Sequence, residues 1–414
     1  MNIDKDQQEF LLKKNHTFCM LPWVHITTTP TGYATPCCVA DEWHKLDIKL
    51  ADHISLQSLI NAQQMKDLRL DMLNERKNRN CKNCYVQEQH NVASLRQRAN
   101  GKFGKFFTEA IANTEDDGYI NDFKLRYYDF RLNNICNMKC RTCYSVNSSL
   151  WEAEDAQQGK ILKTKIKEDV KDLFIREVVN HIKHLDEAYF AGGEPLLMEE
   201  HYEILEELVR LGRTDIRLRY NTNVSVLKFK DKNVLDLWNK FDNKVSISAS
   251  LDHYGNKAEY IRHGTNWDNI VKNMELLKNH PNVSMSVNTV LSVFNFLTLP
   301  EFYYYMIDKG WLTKDNATFS IYMMANPAYL STQLLPQALK DQGLANIDTL
   351  IAHLEGKGFV EHHMSYLKQI RPWVTGADTH KTQIHNFKAH TNRIDNMRSE
   401  NFLDTFPELS KIFD

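Results

Sequence analysis

What this chain lacks narrows its class. Its 414 residues contain no run of about 20 apolar residues, so no segment is built to cross a bilayer as a helix. The opening stretch, Met1 to Phe10, has no apolar signal-peptide core, and the expected location is the cytoplasm. Neither charge is in excess: 51 Lys and Arg against 53 Asp and Glu leave a formal net charge of −2, which argues against a dominant nucleic-acid surface. Low-complexity tracts are missing and aromatics make up 11% of the residues, so disorder is excluded as the global state. The most informative gap is in cysteine. All eight cysteines lie between Cys19 and Cys143, and none follows. In a long intracellular chain such crowding points to metal or catalysis rather than disulfides.

Three of the thiols sit within eight residues, in Cys136-Asn-Met-Lys-Cys140-Arg-Thr-Cys143. They follow a strand-like run, Lys124–Asn133, which puts them in the loop at a strand's C-terminal end, where α/β folds place their chemistry. Three thiolates hold three irons of a [4Fe–4S] cube, one Cys per iron, and leave the fourth iron open. Two other readings fit the spacing: a zinc knuckle, with His181 or His184 as fourth ligand, and three core cysteines without metal. A second group comprises Cys19, Cys37, Cys38, Cys81 and Cys84. Pro30-Thr-Gly32 is turn chemistry between apolar and β-branched flanks, predicting a hairpin with a cysteine on each arm. Cys19, Cys37, Cys81 and Cys84 make a complete four-thiolate set for zinc or iron–sulfur. Cys38 is surplus: it replaces Cys37 as ligand or is a buried thiol. His25 and His90 are lone histidines, more often structural than ligating.

From Lys124 the pattern alternates strand and helix. Strands are expected at Lys124–Asn133, Ala188–Ala191, Ile216–Asn221, Val245–Leu251, Val283–Leu291 and Thr318–Met324. The clearest helices are Leu196–Leu211 and Ala258–Lys278. Six βα units predict a parallel sheet curled into an open partial barrel, of class α/β. Several strand ends carry polar residues: Gly192-Gly193-Glu194 after the second, Asn221 and Asn223 at the third, Ser248, Ser250 and Asp252 at the fourth. Ser248 and Ser250 share one face of their strand. The basic segment Arg96–Lys105 reads as a solvated connector. Further helices at Leu334–Asp341 and Ile347–Tyr366 are expected to cap the open side of the barrel.

Asp129-Phe-Arg131-Leu-Asn133-Asn-Ile-Cys136 through Cys143 resembles the first-strand and cluster-loop segment of the radical S-adenosylmethionine (SAM) superfamily, and Gly192-Gly193-Glu194 resembles its GGE motif, which contacts the SAM amino group. One departure is Thr142, where an aromatic or large apolar residue often stands; Tyr144 follows the third cysteine instead. Cys19-x12-Gly32-x4-Cys37 is similar to the opening of the auxiliary-cluster modules called SPASM and twitch, here placed ahead of the barrel. The resemblance implies a partial (β/α)6 TIM-like barrel at 122–328, an N-terminal twitch-like iron–sulfur module at 15–95 and a helical C-terminal extension at 329–414. It implies a SAM-binding [4Fe–4S] cluster on Cys136, Cys140 and Cys143, and an auxiliary [4Fe–4S] cluster on Cys19, Cys37, Cys81 and Cys84. SAM contacts are implied for Tyr144, Gly192, Gly193, Glu194, Asn221, Asn223, Ser248, Ser250 and Arg262, the last pairing with the SAM carboxylate. Asn288 is a further candidate. The implied activity is reductive SAM cleavage to a 5′-deoxyadenosyl radical that takes hydrogen from a peptide or protein, with an external electron donor such as flavodoxin or ferredoxin. The rival within the enzyme class is a small-molecule dehydrogenase acting on a sugar or aminoglycoside. The rival of another class is a non-catalytic zinc or iron–sulfur interaction protein.

Overall fold

The computed structural model describes residues 3–40, 46–89, 93–160, 166–315 and 319–413. His90 and Thr318 lie outside them. The period-two pattern of Val245-Ser-Ile-Ser-Ala-Ser250 shows how the main sheet forms: Val245, Ile247 and Ala249 are buried under the outer helices, while Ser246, Ser248 and Ser250 face the concave side. Six parallel strands follow this plan: β1 Tyr127–Tyr128, β2 Glu187–Phe190, β3 Arg217–Thr222, β4 Val245–Ser250, β5 Val283–Leu291 and β6 Phe319–Met323. They lie in simple sequential order, β6-β5-β4-β3-β2-β1, joined by helices such as Glu199–Arg210 and Trp267–Lys278, as right-handed βα winding requires. The sheet curls into a half-barrel with its apolar core between sheet and helices.

The N-terminal module closes the β1 edge. Thr27–Thr28 and Tyr33–Thr35 form the expected hairpin, extended by Ile48–Lys49. Its first strand also bridges in parallel from Thr28 to Phe130, and the Arg126 N–H donates to the Val24 carbonyl at 2.9 Å. An edge strand left bare would be a template for unwanted pairing, and the module covers it. This docking explains why the first strand is only two residues long rather than Lys124–Asn133: its flanks bond to the module instead of to a barrel neighbour. Cys19 stands before the short helix Leu21–Val24 and Cys37 follows the second arm, so neither lies on the hairpin itself. Inside the module the buried Arg69 donates to the carbonyls of Gly118, Pro22 and Ile60 at 2.7–3.0 Å.

One face of the segment expected as a solvated connector, with Arg96, Ala99, Asn100 and Phe103, is part of the core. Arg96, on the helix Leu95–Phe103, is buried; it pairs with Glu88 at 2.6 Å and donates to the carbonyls of Asn15 and Phe18. The region Ala258–Lys278 is two helices, Gly255–Ile261 and Trp267–Lys278, broken where Arg262–His263 pairs antiparallel with Lys139–Cys140 of the cysteine loop. The C-terminal extension has one 20-residue helix, Gln337–Gly356, packed on the outer helix Leu299–Asp308 rather than over the open side. From that extension the short helix Ser365–Lys368 packs against β6. The long helix His380–Arg398 and the rings of Phe402 and Phe406 then dock against Tyr260 and Phe294.

Candidate cofactor site

The cysteine loop sits at the C-terminal end of β1, held by local hydrogen bonds. Ser148 caps the helix Ser149–Ala156 and also donates to the Met138 carbonyl at 2.7 Å; Ser149 Oγ accepts from the Cys136 N–H; the Trp151 indole donates to the Cys140 carbonyl. Two glycines clasp the loop from either side. A Cβ on Gly193 would lie 2.1 Å from the Ile135 carbonyl oxygen, and one on Gly264 would lie 2.8 Å from that of Asn137. Gly264 also has φ +101°, a conformation that only glycine adopts without strain. The loop and the Gly-Gly-Glu turn are bonded directly, Glu194 N–H to the Ile135 carbonyl at 2.7 Å.

Glu194 is fully buried, and its carboxylate accepts from the Leu196 and Asn223 N–H groups and the Thr222 hydroxyl at 2.7–3.1 Å. It therefore pins the ends of β2 and β3 together, although burial pushes its pKa up to about 7. Asn223 continues this chain, donating to Asn137 Oδ1 of the cysteine loop at 3.0 Å. Asn221 and Ser248 are register partners on the concave face, and Ser250 faces Asn288. Arg262 lies between Asp252, whose carboxylate is 2.9 Å from its Nε, and Cys140, whose sulfur is 3.8 Å from Nη1. Tyr144 is half exposed beside a cavity of about 190 Å³ that also touches Arg131, Cys37 and Cys38.

Cys136, Cys140 and Cys143 are mutual electrostatic neighbours. Burial, then repulsion from Cys140, pushes the thiols of Cys136 and Cys143 up to about 12, and Arg262 works against this. The second group behaves alike. Burial raises Cys37 most, followed by the charges of Cys38, Cys81, Cys19 and Cys84. Cys38 instead turns to the Asp129 carboxylate, a hydrogen-bond acceptor for its thiol. His25 is structural: its ring bonds the Tyr127 carbonyl at 2.8 Å and Thr27 Oγ1 at 2.7 Å. Among the described residues no three His, Cys, Asp or Glu side chains close around a point as a single ion needs. Three thiols on one loop and four gathered in the N-terminal module are donor sets that iron–sulfur clusters take, one cysteine per iron.

Sequence reasoning missed the support behind the loop. Arg141, 1% exposed, pairs with Asp395 and Glu400 at 2.5 Å each and stacks 3.6 Å from the Tyr260 ring centroid. Glu154 pairs with Arg398 and Lys139 at 2.7 Å each, and Arg398 also donates to the Lys139 carbonyl. No local pattern announces the partners Asp395, Glu400 and Arg398, since they lie more than 240 residues from Arg141 and Glu154. Burial opposes the Glu154 charge, but the hydrogen bonds from Arg398 and Lys139 outweigh it and lower its pKa from 4.5 to about 2. The folded state then binds fewer protons than the unfolded state between these values. The contribution is present above pH 4.5 and is lost as pH falls through about 2. The protection factors of amides in His380–Arg398, exchange rates normalised to the intrinsic rate at each pH, should fall in the native protein between pH 5 and 2. Glu154→Gln should flatten that dependence; an unchanged profile would refute the clamp.

Residues 130–301 match the family model of the radical SAM superfamily, and residues 19–85 match that of SPASM, an iron–sulfur cluster-binding domain. The chain carries a radical SAM domain and, ahead of it, a SPASM domain. Its two domains imply a [4Fe–4S] cluster, an auxiliary iron–sulfur cluster and SAM. The three-thiol loop clasped by Gly193 and Gly264, and the four convergent thiols of the N-terminal module, are donor sets that fit these groups. No curated protein matches the chain. Similar solved structures include anSMEcpe with bound AdoMet, 18% identical with a TM-score of 0.37 over 54% of this chain and 59% of that one. SuiB from Streptococcus suis bound to S-adenosylmethionine is 13% identical, with a TM-score of 0.37 over 66% of this chain and 57% of that one. The radical SAM domain thus occupies the half-barrel, with the SPASM domain on its β1 edge.

Proposed function

We propose that this protein is an enzyme that cleaves SAM reductively and oxidises or cross-links a peptide or protein substrate. When bound, the cluster and SAM supply a 5′-deoxyadenosyl radical that takes a hydrogen atom from an unreactive C–H bond. Cys136, Cys140 and Cys143 hold the SAM-binding cluster, and Gly193 and Gly264 keep their loop close to the strand ends. Glu194 braces the backbone that receives SAM. Asn221, Ser248 and Ser250 offer hydrogen bonds from the concave face, and Arg262 offers positive charge beside Cys140. Cys19, Cys37, Cys81 and Cys84 hold the auxiliary cluster; Cys37 is the ligand because Cys38 turns to Asp129. The observation that carries the reading is the three-thiol loop, clasped by two glycines at the C-terminal end of β1. A chain-like substrate fits the concave side, where the cavity beside Tyr144 and a larger one in the lumen, about 470 Å³, share Cys38 as a wall.

The test is anaerobic reconstitution with iron and sulfide, reduction, addition of SAM and candidate peptides, and detection of 5′-deoxyadenosine by mass spectrometry. The native protein should form it, and the Cys136, Cys140, Cys143 triple-alanine variant should not. Cys81→Ala should lower the iron content from about eight to about four per chain. It should retain SAM cleavage and abolish the modified peptide, whereas Cys38→Ala should keep the full iron content. No 5′-deoxyadenosine from fully loaded native protein with any peptide would refute the reading.

A further inference from the structure

The lumen of the half-barrel gathers cations. Its cavity of about 470 Å³ is lined by Arg98, Lys102 and Arg219, against one carboxylate among the described residues, Glu187, with Cys38 and Tyr366 also in the wall. Glu187 is 2% exposed on its side chain and is shared by Lys102 and by Arg219, the latter at 3.1 Å. Arg219 keeps half of its side chain accessible, and its guanidinium lies 5.4 Å from the Tyr189 ring centroid, which limits its freedom. Arg98 donates to the Ala93 carbonyl and has no ion pair among the described residues. Among the described residues, one buried anion therefore faces three cations. The excess is felt inside the protein: burial first, then repulsion from Arg219 and Arg217, lowers Lys102 to about 8. Cationic groups gathered in a low-dielectric concavity attract and orient an anion.

We propose that the lumen binds a carboxylate of the peptide substrate, on Arg219, Lys102 and Arg98, beside Cys38. This rests on the reading of the concave side as a peptide site. Guanidinium groups take a carboxylate through paired N–H donors, which fixes orientation as well as charge. Tyr366, brought in by the C-terminal extension, closes the same space from the other side. The carboxylate comes from an acidic side chain or from a peptide C-terminus.

The test uses reconstituted full-length protein and three short peptides labelled with an uncharged fluorophore, with binding followed by anisotropy. One is Ala-Glu-Glu-Ala amide, one is its Gln counterpart, and one is tetra-alanine with a free C-terminal carboxylate. At least one carboxylate peptide should bind about tenfold more tightly than the neutral one. Which one it is identifies the source of the charge. Arg219→Gln and Arg98→Gln, both at solvent-accessible positions, should each reduce the preference. Equal binding of all three peptides, or a preference that survives the double variant, would overturn the proposal. SAM cleavage by the same native preparation reports on the underlying reading separately. Acid-selective binding without 5′-deoxyadenosine would sink the radical reading alone, and 5′-deoxyadenosine without selectivity would sink the carboxylate site alone.

Discussion

Gly193→Ala should lower the rate of 5′-deoxyadenosine formation by about 100-fold, the scale expected when reacting groups move by roughly 1 Å. The added methyl would sit 2.1 Å from the Ile135 carbonyl oxygen and 2.8 Å from its carbon. Both atoms are backbone, so no side chain can swing aside. The cysteine loop must retreat from the Gly-Gly-Glu turn, and the Glu194 N–H to Ile135 bond breaks with it. The displaced segment begins one residue before Cys136. Iron content, measured in parallel, separates loss of the cluster from misplacement of SAM: either one accounts for the rate, but a native rate would show that the close approach is unimportant. Gly101, with nothing within 4 Å of its would-be Cβ, is the control position at which alanine should have no such effect.

Arg141→Met should destabilise the protein by about 3 kcal/mol, because it removes the guanidinium shared by Asp395 and Glu400 and leaves them only the Tyr260 hydroxyl, the Phe402 N–H and the His263 ring. Asp395 and Glu400 would face each other across the vacated guanidinium, and Tyr260 would lose the cation above its ring. The expected signs are a lower thermal midpoint and early proteolytic release of fragments from the His380–Arg398 region. Arg141→Lys should rescue only in part. A single ammonium lacks the fork that reaches both carboxylates, the Tyr260 carbonyl and the ring at once. If the methionine variant melts like the native protein, the extension is not anchored through this residue.

The strands with the strongest alternation were legible from sequence. Val283–Leu291 has the expected bounds, and Val245–Ser250 differs by one residue, because apolar and polar positions alternate without interruption. Both cysteine groups and the Gly-Gly-Glu turn were legible because spacing is itself the signal. What was hidden depends on distant partners. Tyr127–Tyr128 is short because Phe130 pairs with Thr28, about 100 residues earlier. The helix break at Arg262–His263 arises from pairing with Lys139–Cys140, and Gly264 was the one local clue. Arg96 looked solvated among lysines and glycines, yet its guanidinium is spent on Glu88 and two carbonyls in the core. Arg141 had no pattern at all, since a salt bridge across 254 residues leaves no periodicity.

That separation has a consequence for biosynthesis. Ribosomes extend chains at ~5–20 residues per second, so Asp395 and Glu400 emerge on the order of tens of seconds after Arg141. Throughout that interval the nascent protein already contains all eight cysteines but not the carboxylates that anchor the loop between Cys140 and Cys143. The loop is therefore at its loosest during synthesis, and it tightens only when the His380–Arg398 helix arrives.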